Sequence, residues 1–309
     1  MSHDSGSWRM ALAVGAWTFG MALTGCGSTP AAIRASTLPA GQHHRQHASA
    51  RTGWAAYFFP PVVGDSCTLV ERPIVSNIAG NTITTTGSLT DTVLAVRSTG
   101  RSTLYSVRSR SHVGTTQTSP PAESTGTSPI NQDLVLGYQA ASNGTLLAPE
   151  QSIHQGGIDF NLTGFVVYPP VASLRAGDSR TSTVQASASS TNPAYAKQIA
   201  AATDDQSSTL RWAMTFRVVG KPAKTIVTPA GTFTDDVGVQ VSVIGITALN
   251  AKASEVSQSQ FAAALKLFMP TTTVYWARGV GIVESISRGL LGNTVQTLHG
   301  CNRPSSAAS

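Results

Sequence analysis

From Trp54 onward the chain alternates apolar and polar residues in short runs rich in Val, Ile and Thr. That period of two marks half-buried β-strands. Residues 74–86 divide into two strands around Ala79-Gly80-Asn81, and strands follow at 91–97 and 102–113. A stretch rich in Ser, Thr and Pro, residues 115–129, separates these from a strand at 133–138. Further strands are expected at 158–168 and 209–219. Val237, Val239, Val241 and Val243 stand two apart, so all four share one sheet face. Residues 271–277 and 282–287 form a hairpin around Arg278-Gly279-Val280-Gly281, and 294–298 closes the sheet. Tyr275 and Trp276 are neighbours on a strand, so only one of them can face the core.

Two segments change period from two to about 3.6. Residues 193–202 are alanine-rich, with Asn192 placed as an N-cap. Residues 255–268 align Val256, Phe261, Ala264, Leu265 and Phe268 on one face, with Ser257 and Gln260 as a capping pair and Pro270 as the stop. This helix packs across the sheet or caps one end of it. The fold class expected is mainly β, a β-rich α+β chain. Its centre is a curved antiparallel sheet or half-barrel with one or two helices packed on it.

The amino-terminal end follows neither pattern. Residues 10–23 are almost wholly apolar and follow Arg9. They are fewer than the ~20 residues of a membrane-spanning helix and fit the apolar region of an export signal. Leu23-Thr24-Gly25-Cys26 resembles a bacterial lipobox. Small residues before the cut suit a narrow peptidase cleft, and the Cys26 thiol is the lipid acceptor. The expected division is a signal peptide at 1–25, a flexible tether at 26–53, one β-rich domain at 54–303 and a disordered tail at 304–309. Two or more acyl chains on Cys26 would anchor the protein firmly, because one chain alone binds membranes only marginally. The expected location is the extracytoplasmic face of the cell membrane. The tether is rich in Ala, Ser, Thr, Pro and Gly and carries His43, His44 and His47, which without a carboxylate or thiol partner read as polar filler rather than a metal site.

Composition supports export. Charged residues are 12% against 41% hydrophobic, with 28 glycines, a balance typical of β-rich exported proteins. The net charge of +6 points to a solvated basic surface near anionic headgroups or cell-wall polymer. Basic residues are scattered apart from Arg97, Arg101, Arg108 and Arg110. No aromatic and basic interleaving supports nucleic-acid binding. Of the three cysteines, Cys26 is assigned to lipid, which leaves Cys67 and Cys301. In an oxidising compartment such a pair tends to bond. The alternative is two free, buried thiols, and a Cys–His pair with His299 is a third option.

An internal echo also appears. Phe59-Pro60-Pro61-Val62-Val63-Gly64-Asp65-Ser66 is matched by Tyr168-Pro169-Pro170-Val171 and then Ala176-Gly177-Asp178-Ser179. Each leads through a Gly-Asp-Ser turn into a strand. The echo marks two related halves or convergent turn chemistry.

Three separated motifs carry a resemblance. Phe58 to Ser66 opens the domain, Thr228-Pro229-Ala230-Gly231-Thr232-Phe233 precedes the valine strand, and the stretch from Val274 to Val283 forms the last hairpin. Together they resemble a broad set of uncharacterised bacterial exported proteins and lipoproteins with curved sheets of the LolA and LolB carrier kind. The resemblance implies a curved antiparallel sheet and brings no catalytic residues. Cys67 stands where that set usually has a tryptophan, which implies that a disulfide replaces a large core anchor.

No catalytic constellation is legible. The chain lacks G-x-S-x-G, H-E-x-x-H, a phosphate-cradling G-x-x-x-x-G-K and C-x-x-C. The pairs Asp204-Asp205 and Asp235-Asp236 are sequence neighbours, which point to opposite faces of a strand. His112, His154 and His299 are isolated. No catalytic residue, metal ligand or cofactor is assigned, and no enzyme activity is expected. The function expected is a non-catalytic binding module for a lipid or other apolar molecule inside the sheet. The alternatives are a structural or partner-binding envelope lipoprotein and a hydrolase.

Overall fold

Long β-branched runs with inward apolar residues at every second position build the molecule. The computed structural model describes residues 53–57, 63–72, 74–78, 81–99, 102–118, 130–148, 151–155, 158–252, 269–289 and 292–302. A 3-10 turn at Gly53–Ala56 precedes the strands β1 (Ser66–Glu71), β2 (Ile74–Ile78), β3 (Asn81–Ser98), β4 (Ser102–Thr118) and β5 (Ile130–Ala141). Then come β6 (Leu146–Ala148), β7 (Gln151–Gln155), β8 (Ile158–Thr163) and β9 (Val166–Tyr168). Helix α1 (Val171–Arg175), β10 (Ser179–Ser190), helix α2 (Pro193–Ala202) and β11 (Thr209–Lys221) follow. The remaining elements are β12 (Ile226–Thr228), β13 (Gly231–Phe233), β14 (Asp236–Ala248), β15 (Thr271–Ala277), β16 (Gly281–Gly289) and β17 (Gly292–Asn302).

Fifteen strands form one curved antiparallel sheet in the order β7-β8-β10-β11-β14-β15-β16-β17-β1-β3-β4-β5-β6-β9, with β2 alongside β3. The mainly β class holds, and the sheet does not close into a barrel. Its far end curls back on itself. The Val167 amide of β9 donates to the Ser182 hydroxyl of β10 at 3.2 Å, a side-chain contact in place of a ladder.

The expected strand at 158–168 is two strands. Gly164 has φ 109°, in the left-handed region that glycine tolerates, and it breaks the run. The two pieces then diverge: β8 pairs with β10, and β9 pairs with β6. β4 runs to Thr118 rather than 113, because the β-branched residues 115, 116 and 118 still pair with residues 82–85 of β3. Residues 119–129 and the expected helix at 255–268 lie outside the described residues, as do 1–52 and the tail at 304–309. The helix at 193–202 forms as expected, with Asn192 Oδ1 accepting from the Ala194 amide at 2.9 Å. Both Gly-Asp-Ser turns are real. Gly64 and Gly177 have φ 93° and 85°, and Ser66 and Ser179 open β1 and β10.

The core lies on the inner face. Val237, Val239, Val241 and Val243 are all buried there, beside Trp212, Met214, Phe216 and Val218 of β11. At its centre sits Trp54, 1% exposed. Its ring meets Tyr168 and Trp276 edge-on at 5.9 and 5.8 Å, and its indole N–H donates to the Pro169 carbonyl at 2.7 Å. Tyr275 and Trp276 do point to opposite faces, yet both are buried. Trp276 joins the main core, whereas the Tyr275 ring is covered by the Lys224 ammonium, 4.3 Å from its centroid.

Trp54→Ala removes an aromatic that packs against both β9 and β15, so it should cost about 3–5 kcal/mol. Urea unfolding followed by circular dichroism should show a lower midpoint, with Trp54→Phe closer to wild type.

Candidate functional site

The sequence-predicted cysteines meet. β1 lies between β17 and β3, which places Cys67 directly opposite Cys301. The two form a disulfide across 234 residues of sequence. They pack with Ile226, Tyr275, Val280, Val283 and Leu298 in a second apolar cluster. Because Cys301 is bonded, no thiol is left for the exposed His299.

A polar clasp sits where the 3-10 turn, α1, the turn before β14 and the β15–β16 hairpin converge. The Tyr57 hydroxyl donates to Asp235 Oδ1 at 2.9 Å and accepts from Arg175 Nη2 at 2.7 Å. Arg175 also donates to Asp235, and Arg278 Nε lies 3.3 Å from Asp235 Oδ2. Both guanidinium groups flank the Tyr57 ring, at 5.6 and 5.4 Å from its centroid. Burial pulls the Asp235 carboxyl upward, but hydrogen bonds from Arg175 and Tyr57 outweigh it and hold the group below its ordinary range. Burial raises the Tyr57 hydroxyl, against the pull of Arg278. A carboxylate so committed is a poor general base, and the cluster reads as a lock on the end of the sheet.

Asp235 and Asp236 part ways, as strand geometry requires. Asp235 joins the clasp, whereas buried Asp236 accepts from the Lys224 backbone amide at 3.2 Å. Asp205 pairs with Arg211 at 3.6 Å and caps the Ser207 amide at 3.1 Å. Neither acidic pair forms an acid/base couple.

The inner face also holds residues that sequence reading missed. Register sets Ser285, Gln296 and Glu71 opposite one another on β16, β17 and β1. Ser285 also faces Val274 of the main core, which marks this as the inner face. Glu71 lies over Gly87, where a Cβ would collide with its carboxylate. Asp91 sits between Cys67 and Ser109 and is buried. Burial raises both carboxyls to about 6, with a hydrogen bond from Ser109 opposing the rise at Asp91. Among the described residues, Asp91 Oδ1, Ser111 Oγ, Ser285 Oγ and Gln296 Oε1 are buried without a hydrogen-bond partner. Glu71 and Asp91 are four register positions apart, about 13 Å at ~3.3 Å per residue. That exceeds the roughly 5–9.5 Å of a working glycosidase pair. The missed signal was parity: Glu71 lies two residues from Leu69, and Asp91 lies two from Leu89 and Val93, all inward positions.

Cys26, Leu23, Thr24, Gly25, His43, His44 and His47 lie outside the described residues. No described helix is long and apolar enough to cross a membrane.

Fold and disulfide together define a curved-sheet β protein with its first and last strands joined. No protein-family model matches the sequence, and no curated protein matches it. Among solved structures, the chain is similar to an exported protein of Bacteroides fragilis with a YmcC-like fold. Identity is 12%, coverage is 80% of this chain and 100% of the other, and the TM-score is 0.43. It is also similar to a lipoprotein from Parabacteroides distasonis, at 13% identity, 80% and 99% coverage and TM-score 0.43.

Replacing Cys67 and Cys301 together by serine should cost about 2–5 kcal/mol. The thermal midpoint should fall, and reductant should no longer change it. Asp91 has a folded value of about 6 against an ordinary 3.8, so the folded state binds the extra proton between those limits. Its contribution therefore destabilises progressively as pH rises from about 4 to about 6, by roughly 3 kcal/mol for two units. Asp91→Asn should remove that slope, which denaturation of both proteins at pH 4, 5 and 7 will read.

Proposed function

We propose that this chain is an extracytoplasmic lipoprotein, cut behind Leu23-Thr24-Gly25 and held at the membrane by acyl chains on Cys26. Its β-rich domain is a non-catalytic binding module that presents its outer surface to an envelope component. The observation that carries this reading is the Cys67–Cys301 bond between the first and last strands. Structural disulfides persist in oxidising compartments, where an export signal would deliver the chain.

The choice of outer surface over an internal lipid cavity rests on the inner face. There the described residues fill the concave side with their own side chains, among them Trp54, Trp212, Phe216 and Trp276. Beside them runs the buried polar strip of Ser285, Gln296 and Glu71, unfavourable to an acyl chain. This orders the two non-enzyme readings, with the partner-binding lipoprotein ahead of the lipid carrier.

Mass spectrometry of the mature protein from membranes should find an acylated residue 26 as its first residue, and Cys26→Ala should leave uncleaved, unacylated precursor. A delipidated preparation should take up no fluorescent fatty acid. An unmodified amino terminus would refute the anchor, and stoichiometric fatty-acid uptake would restore the carrier reading.

A further inference from the structure

The outer face of β11, β14, β15 and β16 carries a groove of about 170 Å³, lined by Lys221, Gln240, Thr271, Thr273, Tyr275, Ile286 and Arg288. Register explains the lining. Gln240 lies opposite Thr273, Thr271 opposite Arg288, and Gly238 opposite both Lys221 and Tyr275. Gly238 makes the wall possible. A Cβ there would come within 2.7 Å of the Tyr275 ring and 2.9 Å of the Lys221 Cβ. With hydrogen in its place, the ring packs between Gly238 and the Lys224 ammonium, which is itself tied to Glu284.

The charges around the groove divide into used and unused. Lys224 is spent on Glu284. Among the described residues, neither Lys221 nor Arg288 forms an ion pair, and the side chains of Gln240, Thr271 and Thr273 make no hydrogen bond. Arg217, four residues before Lys221 on the same outward parity and outside the lining, also forms no ion pair among the described residues. Burial keeps the Tyr275 hydroxyl above its ordinary range despite the opposing Lys224 charge, so it remains a donor.

We propose that this groove binds a phosphate ester of a sugar or polyol, the phosphate held by Lys221 and Arg288 and the hydroxyls by Gln240, Thr271 and Thr273. Two unpaired cations match the roughly −1.5 to −2 charge of a phosphate monoester, and the guanidinium fork of Arg288 suits its oxygens. A groove of about 170 Å³ has room for one phosphorylated polyol unit. The proposal deepens the outer-surface binding reading above by naming the ligand class.

The test is calorimetry at low salt on the full-length protein in detergent, with glycerol 3-phosphate as the probe. Glycerol 3-phosphate should bind and glycerol should not. Lys221→Gln combined with Arg288→Gln should weaken binding at least tenfold, while Lys197→Gln on exposed α2 leaves it unchanged. Thr273→Val should weaken glycerol 3-phosphate more than inorganic phosphate, a readout that does not depend on removing charge. Poly(glycerol phosphate) binding tighter than the monomer would support a polymer as the source, and equal binding a free metabolite. Absence of binding by wild type, or equal losses in Lys197→Gln and the double variant, would overturn the proposal. So would equal affinity for glucuronate. Mass spectrometry at Cys26 on the same preparation reads the anchor separately, so failure of the groove and failure of the anchor remain distinct.

Discussion

The seam between β1 and β17 is the constraint on which the rest of the sheet depends. On one side of β1 lie the strands β3, β4, β5, β6 and β9. On the other lie β17 and the run from β16 back to β7. Among the described strands, the hydrogen-bonded path between these two halves runs through β1. It joins residues 234 apart, and the disulfide makes that closure covalent. Loop-closure entropy grows only slowly with length, so a link across so long a loop constrains the unfolded chain by about 5 kcal/mol in the chain-entropy picture, an upper figure. The opposite seam, β9 against β10, has a side-chain hydrogen bond where a ladder would be. Trp54 secures it by touching Tyr168, Pro169 and Trp276 together.

Curvature imposed at these two seams gives the faces different work. The inner face concentrates large aromatic side chains, each worth several kcal/mol when buried. That surplus tolerates the buried Asp91, Ser111, Gln296 and Ser285, whose unpaired polar atoms among the described residues cost about 1–3 kcal/mol each. The outer face carries its cations on positions that leave the core untouched. Recognition chemistry can therefore vary there without a cost in stability.

Much of this was legible in the chain because local patterning and tertiary packing agree. The valines at 237, 239, 241 and 243, the hairpin at Arg278 to Gly281 and the Asn192-capped helix all form where pattern and capping place them. The disulfide followed from counting cysteines in a chain read as exported. What could not be read was either compositionally mute or long-range. β10 is built of Ser, Thr, Ala, Arg and Gln with only one strongly β-forming apolar residue, Val184, and announces itself only through the turn at Gly177. The clasp joins Tyr57 to Asp235 across 178 residues and Arg175 to Asp235 across 60, spacings that no local period encodes. The break at Gly164 was visible as a glycine, but its consequence, sending β8 and β9 to different partners, depends on sheet closure.

The turn before β14 connects these parts. Asp235 anchors the clasp that fixes the 3-10 turn and α1 to the β15–β16 hairpin, and the next residue, Asp236, holds the Lys224 amide. With its backbone fixed there, Lys224 lays its ammonium over Tyr275 and onto Glu284, completing one wall of the outer groove. Two adjacent acids on opposite faces therefore act in series, one locking the end of the sheet and the other setting a side chain on its outer face. A groove built on strands and braced by buried carboxylates is rigid before any ligand arrives, so binding there would lose little conformational freedom.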